Sequence, residues 1–264
     1  MFRKYIFGLL SFLSCVFASA QVEVDSSKVV SVLSFNIYHG ETVGAEKRFD
    51  LDLLAKVIND VNPDFVALQE VDNKTNRARN YDLVTELGQR IKMAPLFGKA
   101  MSFDGGEYGE GVLSKYSFVS TKNHALNAGE GKEPRAALEV ITKIKSGDVI
   151  RFVGTHLDHT KDETDRINQV NQLNAIFADN DIPTILAGDL NARPESEAMK
   201  ILFSKWTLSD TNLNPTIPVI NPTAKIDYVL FKPADRWRVL DIRVICNEEV
   251  TDHCAVLSVL ELLD

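Results

Sequence analysis

Pro183-Thr184-Ile185-Leu186-Ala187-Gly188-Asp189-Leu190-Asn191 is an apolar run that ends in an acid and an amide. Residues 183–187 have the character of a buried strand, so the polar pair stands where that strand leaves its sheet. The layout recurs along the chain. Val29 to Phe35 ends in Asn36, Phe65 to Leu68 ends in Gln69-Glu70, and Asp227 borders the run Tyr228 to Phe231. Strands that deliver such groups to one rim gather carboxylates, which repel one another unless a divalent cation neutralises them. The pattern therefore predicts a Mg²⁺ or Mn²⁺ site of hard oxygen ligands.

Working outward, Leu51, Leu54, Ala55 and Ile58 fall at helical spacing before Asn62-Pro63 stops the run, which makes residues 29–70 strand, helix, strand. The middle of the chain changes character. Gly105-Gly106, Gly109 and Gly111 punctuate an extended stretch through Leu113, and strands at Phe118 to Thr121, Ala136 to Ile144 and Val149 to Val153 read as antiparallel neighbours. A second helix follows Thr160, with Thr160 and Glu163 as a capping box and Ile167, Val170, Leu173, Ile176 and Phe177 on one side. Asp179-Asn180-Asp181 is expected to end it. Glu195 to Phe203 reads as a short helix, and Lys225 to Phe231, Trp237 to Val244 and Ala255 to Leu260 as the remaining strands. Mixed sheets packed face to face with outer helices are the expected architecture.

Met1 to Ala20 has a basic start at Arg3 and Lys4, an apolar stretch from Tyr5 to Leu13 and the small-residue ending Ala18-Ser19-Ala20. It reads as a signal peptide cleaved after Ala20, which predicts export to the periplasm or the medium, with residues 21–264 as one domain. Cys15 follows a poor lipoprotein box, so a lipid anchor there is the weaker alternative. Residues 1–20 carry Arg3 and Lys4 and no acid, so cleavage takes the formal charge from −8 to −10. An acidic chain whose Lys/Arg groups never exceed a pair is a poor binder of long polyanions; a small phosphorylated substrate fits better. Cys246 and Cys254 flank an acidic loop, and their spacing suits either a bridge across a hairpin or two buried free thiols.

Six short motifs occur in order: Ser34-Phe35-Asn36, Leu68-Gln69-Glu70-Val71, Gly154-Thr155-His156-Leu157, Gly188-Asp189-Leu190-Asn191, Ile226-Asp227-Tyr228 and Thr251-Asp252-His253. On these residues the chain resembles the endonuclease/exonuclease/phosphatase superfamily from about Val29 to Leu260, as a secreted bacterial-type member. The resemblance implies the deoxyribonuclease I-like four-layer fold of the α/β (α+β) class, two mixed β-sheets packed as a sandwich and flanked by helices, with the site at one rim.

Residue by residue, the resemblance makes Glu70 the principal metal ligand, helped by Asn36 and Asp252. It pairs His253 with Asp227, whose carboxylate would fix the imidazole tautomer and stabilise its charged form. Asp189 would orient or deprotonate the attacking water, Asn191 would hold a phosphoryl oxygen and His156 would donate to the phosphate. Whether Asp189 or His253 is the base stays open. Arg135 would present a guanidinium to the substrate. Asp158 has three readings: support for His156, a ligand to a second ion, or a strand-end turn. Arg166, Gln169, Tyr108 and Glu110 could shape the pocket, but packing or solvation is the favoured reading for each.

The function these residues predict is metal-dependent hydrolysis of a small or lipid-derived phosphoester by in-line attack of water, in a monomer with no stable protein partner. An extracellular nuclease and a catalytically silent binding module of the same fold are the alternatives.

Overall fold

The computed structural model describes residues 23–44, 46–179 and 181–264. The expected leader of residues 1–20, with Cys15, lies outside them. The chain runs β1 (Val29–Asn36), α1 (Leu51–Val61), β2 (Phe65–Asn73), α2 (Leu83–Ile91), β3 (Ala94–Phe103), β4 (Gly106–Ser114), β5 (Phe118–Leu126) and β6 (Arg135–Lys143). It continues through β7 (Val149–His156), α3 (Thr164–Ile176), β8 (Thr184–Asp189), α4 (Glu197–Phe203), β9 (Thr207–Leu208), β10 (Asp227–Lys232), β11 (Trp237–Ile245) and β12 (Ala255–Leu262).

Two six-stranded sheets form, ordered β11-β12-β1-β2-β4-β3 and β5-β6-β7-β8-β10-β9. β1–β2 and β7–β8 pair in parallel while the other ladders are antiparallel, so both sheets are mixed. Val30, Val32, Phe65, Ala67, Phe152, Ile185, Ala187, Val229 and Phe231 belong to one core between the sheets. Leu33, Phe35, Val66 and Leu68 pack with residues of α1 and α2 instead, and Leu186, Tyr228 and Leu230 with residues of α3 and α4. The period of two is thus visible strand by strand, and because helices cover both outer faces the central strands are apolar throughout. This is the expected deoxyribonuclease I-like sandwich.

The same alternation sets the site. Asn36 continues the phase of Val30 and Val32, Asp189 that of Ile185 and Ala187, and Asp227 that of Val229 and Phe231, so all three fall on the inter-sheet side at the ends of their strands. Glu70 follows Val66 and Leu68 and would fall on the helix side. A β-bulge corrects it: the β2–β4 register shifts between Leu68 and Val71, Val71 takes the helix side, and Glu70 sits at φ 57°.

Several expectations were revised by the structure. Asp50 caps α1 by accepting from the Leu53 amide at 3.0 Å, and the left-handed Asn62 closes it as anticipated. The capping box at α3 does not form: Glu163 makes no capping bond, and Asp158 Oδ2 instead accepts from the Thr160 amide and hydroxyl. That bond gives Asp158 a strand-end turn role through Oδ2, while its Oδ1 is buried without a partner. α3 stops at Ile176, before the Asp179–Asp181 stretch, with the Phe177 amide donating to Leu173 O. α2 and β3 were not anticipated. Cys246 and Cys254 are bonded to each other, closing the loop that carries Asp252 and His253 between β11 and β12. No helix among the described residues is long and apolar enough to cross a membrane.

Gly188 makes the parallel β7–β8 contact possible, because a Cβ there would lie 2.0 Å from Thr155 O. Gly188→Ala must push apart the strands that carry His156 and Asp189. We expect it to lower unfolding stability by about 3 kcal/mol, the upper range for overpacking, and to depress activity with it. Urea denaturation checks this, and an unchanged midpoint would contradict it.

Candidate active site

The strand ends open into a cleft of about 320 Å³ whose lining includes Glu70, Arg135, His156, Asp189, Asn191 and His253. Asn36 is fully buried and joins the two sheets there: its amide nitrogen donates to Glu70 Oε1 at 3.1 Å and to Asp189 Oδ2 at 3.2 Å. Its oxygen accepts from the Tyr38 amide at 3.1 Å and keeps a second lone pair. His39 Nδ1 lies 3.5 Å from Glu70 Oε2. Burial works to raise the Glu70 pKa, but the neighbouring His39 and Asn36 outweigh it and hold the carboxyl below its ordinary value. Asp252 shows the opposite balance: burial lifts it, His253 opposes, and the Glu70 carboxylate adds to the rise.

On the second sheet, His253 Nδ1 faces both oxygens of Asp227, at 3.0 and 3.1 Å. Burial alone would depress the imidazole, but the charge and hydrogen bonds of Asp227, aided by Asp189, push it up to about 10. Thr216 completes the arrangement by donating its hydroxyl to Asp227 Oδ2 at 2.5 Å while accepting from the Ile226 and Asp227 amides at 3.2 and 3.3 Å. Asp189 is pushed up to about 7 by burial and the Asp227 charge, against the pull of His253, Asn191 and Asn36.

His156 is buried and far less basic than an ordinary histidine, through desolvation and the adjacent Arg135 charge. A guanidinium can only donate, so His156 Nδ1 accepts from Arg135 Nη1 at 3.2 Å and the ring proton belongs on Nε2. Asn191 Nδ2 stands 2.9 Å from that Nε2 and also donates to Leu157 O at 3.0 Å; flipping the amide would set two oxygens against each other. Two N–H donors therefore face each other with Asp189 Oδ2 3.5 Å from Nε2, an arrangement that suits a further anionic oxygen. Arg135 is only 2 % exposed, and its other branch reaches His159 Nδ1 at 3.1 Å and Glu133 Oε2 at 3.0 Å. It is thus tied into the cleft wall behind His156.

Backbone strain collects here. Tyr38, His39 and Gly40 take positive φ in succession (45°, 45° and 86°), and Asn191 (48°) joins Glu70 in the left-handed region. Non-glycine residues held there cost of order 1–3 kcal/mol each and concentrate at functional sites.

The donor set fits a divalent cation. Glu70 and Asp252 offer carboxylates near enough for the Glu70 charge to add to the rise of Asp252, and Asn36 offers an amide oxygen, all hard ligands. A second cluster, Asp189, Asp227 and His253, brings ligand atoms within 4.8 Å of one another. There, however, Asp227 is already committed to His253 and Thr216.

His39, Thr216, His159 and Arg77 were not singled out from the sequence. His39 had a signal in Asn36-Ile37-Tyr38-His39-Gly40, where glycine marks a turn just past a candidate ligand; Thr216 had none. Tyr108 lines the cleft, the pocket-shaping alternative of the two readings. Glu110 is not solvated: both its oxygens are buried without partners, and burial lifts its carboxyl well above the usual range. Arg166 and Gln169 are structural, holding the Asp158 carbonyl and amide at 2.9 Å each.

Solved structures share this architecture. An endonuclease/exonuclease/phosphatase from Beutenbergia cavernae superposes with a TM-score of 0.76 at 21% identity, covering 89% of this chain and 72% of that one. The mannosyl-6-phosphatase of Bacteroides thetaiotaomicron gives 0.70 at 17% identity, over 89% and 100% of the two chains. The human Nocturnin catalytic domain with bound sulfate gives 0.71 at 20% identity, over 89% and 94%. At these identities the likeness concerns the fold. Residues 33–253 match the family described as Endonuclease/Exonuclease/phosphatase. With the six motifs assembled at one rim and the match spanning both sheets, this chain belongs to the endonuclease/exonuclease/phosphatase family.

Proposed function

We propose that this protein is an exported, monomeric, divalent-metal-dependent hydrolase of small phosphoesters. The observation that carries this reading is the surroundings of Asp189 Oδ2. Asn36 Nδ2 lies at 3.2 Å, His156 Nε2 at 3.5 Å and His253 Nε2 at 3.7 Å, so one carboxylate oxygen stands among the groups that would handle a phosphate and its attacking water.

The roles follow from charge. With its carboxyl near 7, Asp189 is matched to accept a proton from water at neutral pH. His253, held as imidazolium by Asp227, is the wrong protonation state for a base and the right one for a donor to the oxygens that gain charge. Asn191 and neutral His156 supply the converging N–H groups for a phosphoryl oxygen. Glu70, Asp252 and Asn36 would hold the Mg²⁺ or Mn²⁺, which when bound supplies Lewis-acid neutralisation of the phosphoryl and leaving oxygens.

A cleft of about 320 Å³ lies at the low end for small-molecule sites, and Glu133 adds a carboxylate to its wall. Together with the formal charge of −8, this favours a compact phosphoester over nucleic acid. The mannosyl-6-phosphatase relative points the same way. The leader of residues 1–20 is the reason for placing the enzyme outside the cytoplasm.

With Mg²⁺ or Mn²⁺, the enzyme should turn over p-nitrophenyl phosphate or its bis-ester and leave supercoiled plasmid intact. Asp189→Ala, His253→Ala and Glu70→Ala should each lose on the order of 10² to 10³ in kcat while staying folded by circular dichroism. A folded, fully active His253→Ala protein would sink the assignment, and rapid plasmid nicking would favour a nuclease.

A separate expectation concerns pH. Asp189 binds its proton more tightly in the folded than in the unfolded chain, so its burial penalty is absent at low pH and develops as pH rises from about 4 through about 7. Metal-free wild type should therefore lose stability relative to Asp189→Asn between about pH 4 and 7. Urea denaturation in a chelator tests it; parallel curves for the two proteins would contradict the buried, titrating Asp189.

A further inference from the structure

The end of the cleft beyond Glu70 is chemically unlike the phosphoryl end. Asp72 follows Glu70 by two residues on β2, just past the bulge. It pairs in register with Tyr108 on β4, which in turn pairs with Met101 on β3. Arg77, from the loop after β2, folds back onto this row. Its Nε donates to Asp72 Oδ2 at 2.7 Å and its Nη2 to Asp72 Oδ1 at 2.9 Å, while the guanidinium carbon lies 4.5 Å from the Phe103 ring centre and 5.6 Å from that of Tyr108. Arg77, Met101, Phe103 and Tyr108 all line the cleft.

We infer that Arg77, Phe103 and Tyr108 form a leaving-group subsite for an uncharged, hydroxylated ring, which makes the substrate class a sugar-type phosphomonoester. This rests on the phosphoester-hydrolase reading of the same cleft. The chemistry decides among leaving groups. A second anionic group gains little, because the Arg77 charge is already matched bidentately by buried Asp72, which also accepts from Thr75 Oγ1 at 2.6 Å. An acyl chain needs an uninterrupted apolar channel, and here a guanidinium and a phenol interrupt Met101 and Phe103. A nucleotide, with two rings beyond its phosphate, is the competing occupant, and a cleft at the low end of ligand-site volumes favours the single ring.

What remains is a ring with C–H faces and hydroxyl edges. The partly exposed Phe103 offers the face. The Tyr108 hydroxyl and the third guanidinium nitrogen of Arg77, Nη1, offer the edges. Because Asp72 and the aromatic rings fix Arg77 in advance, little side-chain freedom is lost when the ring docks.

The test compares kcat/KM for a panel of hexose 6-phosphates with that for cyclohexylmethyl phosphate, the same ring without hydroxyls. Wild type should prefer at least one hexose phosphate by about 100-fold or more, since a site built to hydrogen-bond hydroxyls rejects the analogue lacking them. Phe103→Ala, at a surface position where folding is not at risk, should narrow that ratio about tenfold, mainly through KM. Arg77→Ala would strand the buried Asp72 carboxylate and endanger the fold. The paired Arg77→Met/Asp72→Asn protein is therefore the second variant, and it should narrow the ratio similarly. Equal turnover of both ring types by wild type, or a ratio untouched in both variants, overturns the subsite and leaves the hydrolase reading standing. A wild type silent on every phosphoester, those bearing p-nitrophenol included, overturns both.

Discussion

One side-chain amide holds the site together. Asn36 belongs to the first sheet and donates one hydrogen bond to Glu70 of that sheet and another to Asp189 of the second, at 3.1 and 3.2 Å. Everything the cleft does depends on the relative position of the two sheets at this rim, and a fully buried amide with two carboxylate acceptors fixes it more firmly than apolar contact could, because hydrogen bonds are directional. The cost is electrostatic. Glu70, Asp189, Asp227 and Asp252 stand around the His253 imidazolium, and burial first, with neighbouring carboxylate charge second to it, raises the pKa values of Asp189 and Asp252.

The fold supplies this crowding through ordinary strand geometry and two local departures from it. Alternation along β1, β8 and β10 carries Asn36, Asp189 and Asp227 to the inter-sheet side. The β2 bulge then turns Glu70 to join them, and Gly188 lets β7 and β8 approach closely enough to set His156 beside Asp189. Around them, left-handed backbone at Tyr38, His39, Glu70 and Asn191 shows that the chain accepts local strain to hold these side chains. Strands carry Asn36, Glu70, Asp189 and Asp227, while the loops at Thr216 and between Cys246 and Cys254 brace the Asp227–His253 pair.

Much of this was legible in the sequence, for reasons that can be traced. Apolar runs that end in Asn36, Glu70 or Asp189 show both the strand and the polar group at its tip, and the six motifs in order show the family. What was not legible depends on tertiary contact. β3 is an edge strand with no clean alternation, so residues 94–103 gave no period to read. α2 is only nine residues long, and its cap at Asp82 and face of Leu83, Val84 and Leu87 passed unnoticed. Thr160 and Glu163 have the spacing of a capping box, but Asp158 competes successfully for the Thr160 hydroxyl. The bulge that re-aims Glu70 and the Thr216 bond to Asp227 arise from cross-strand register and loop return, which no local pattern encodes.

We propose that the carboxylates are held for one cation at Glu70, Asp252 and Asn36, with Asp227–His253 kept apart as a proton-handling pair. Calorimetric titration of the metal-free protein with Mn²⁺ tests this most directly. Binding should be abolished by Glu70→Gln, weakened by Asp252→Asn and retained in Asp227→Asn. Binding that survives Glu70→Gln and disappears in Asp227→Asn would place the ion on the Asp189–Asp227–His253 cluster and contradict the division of roles drawn here.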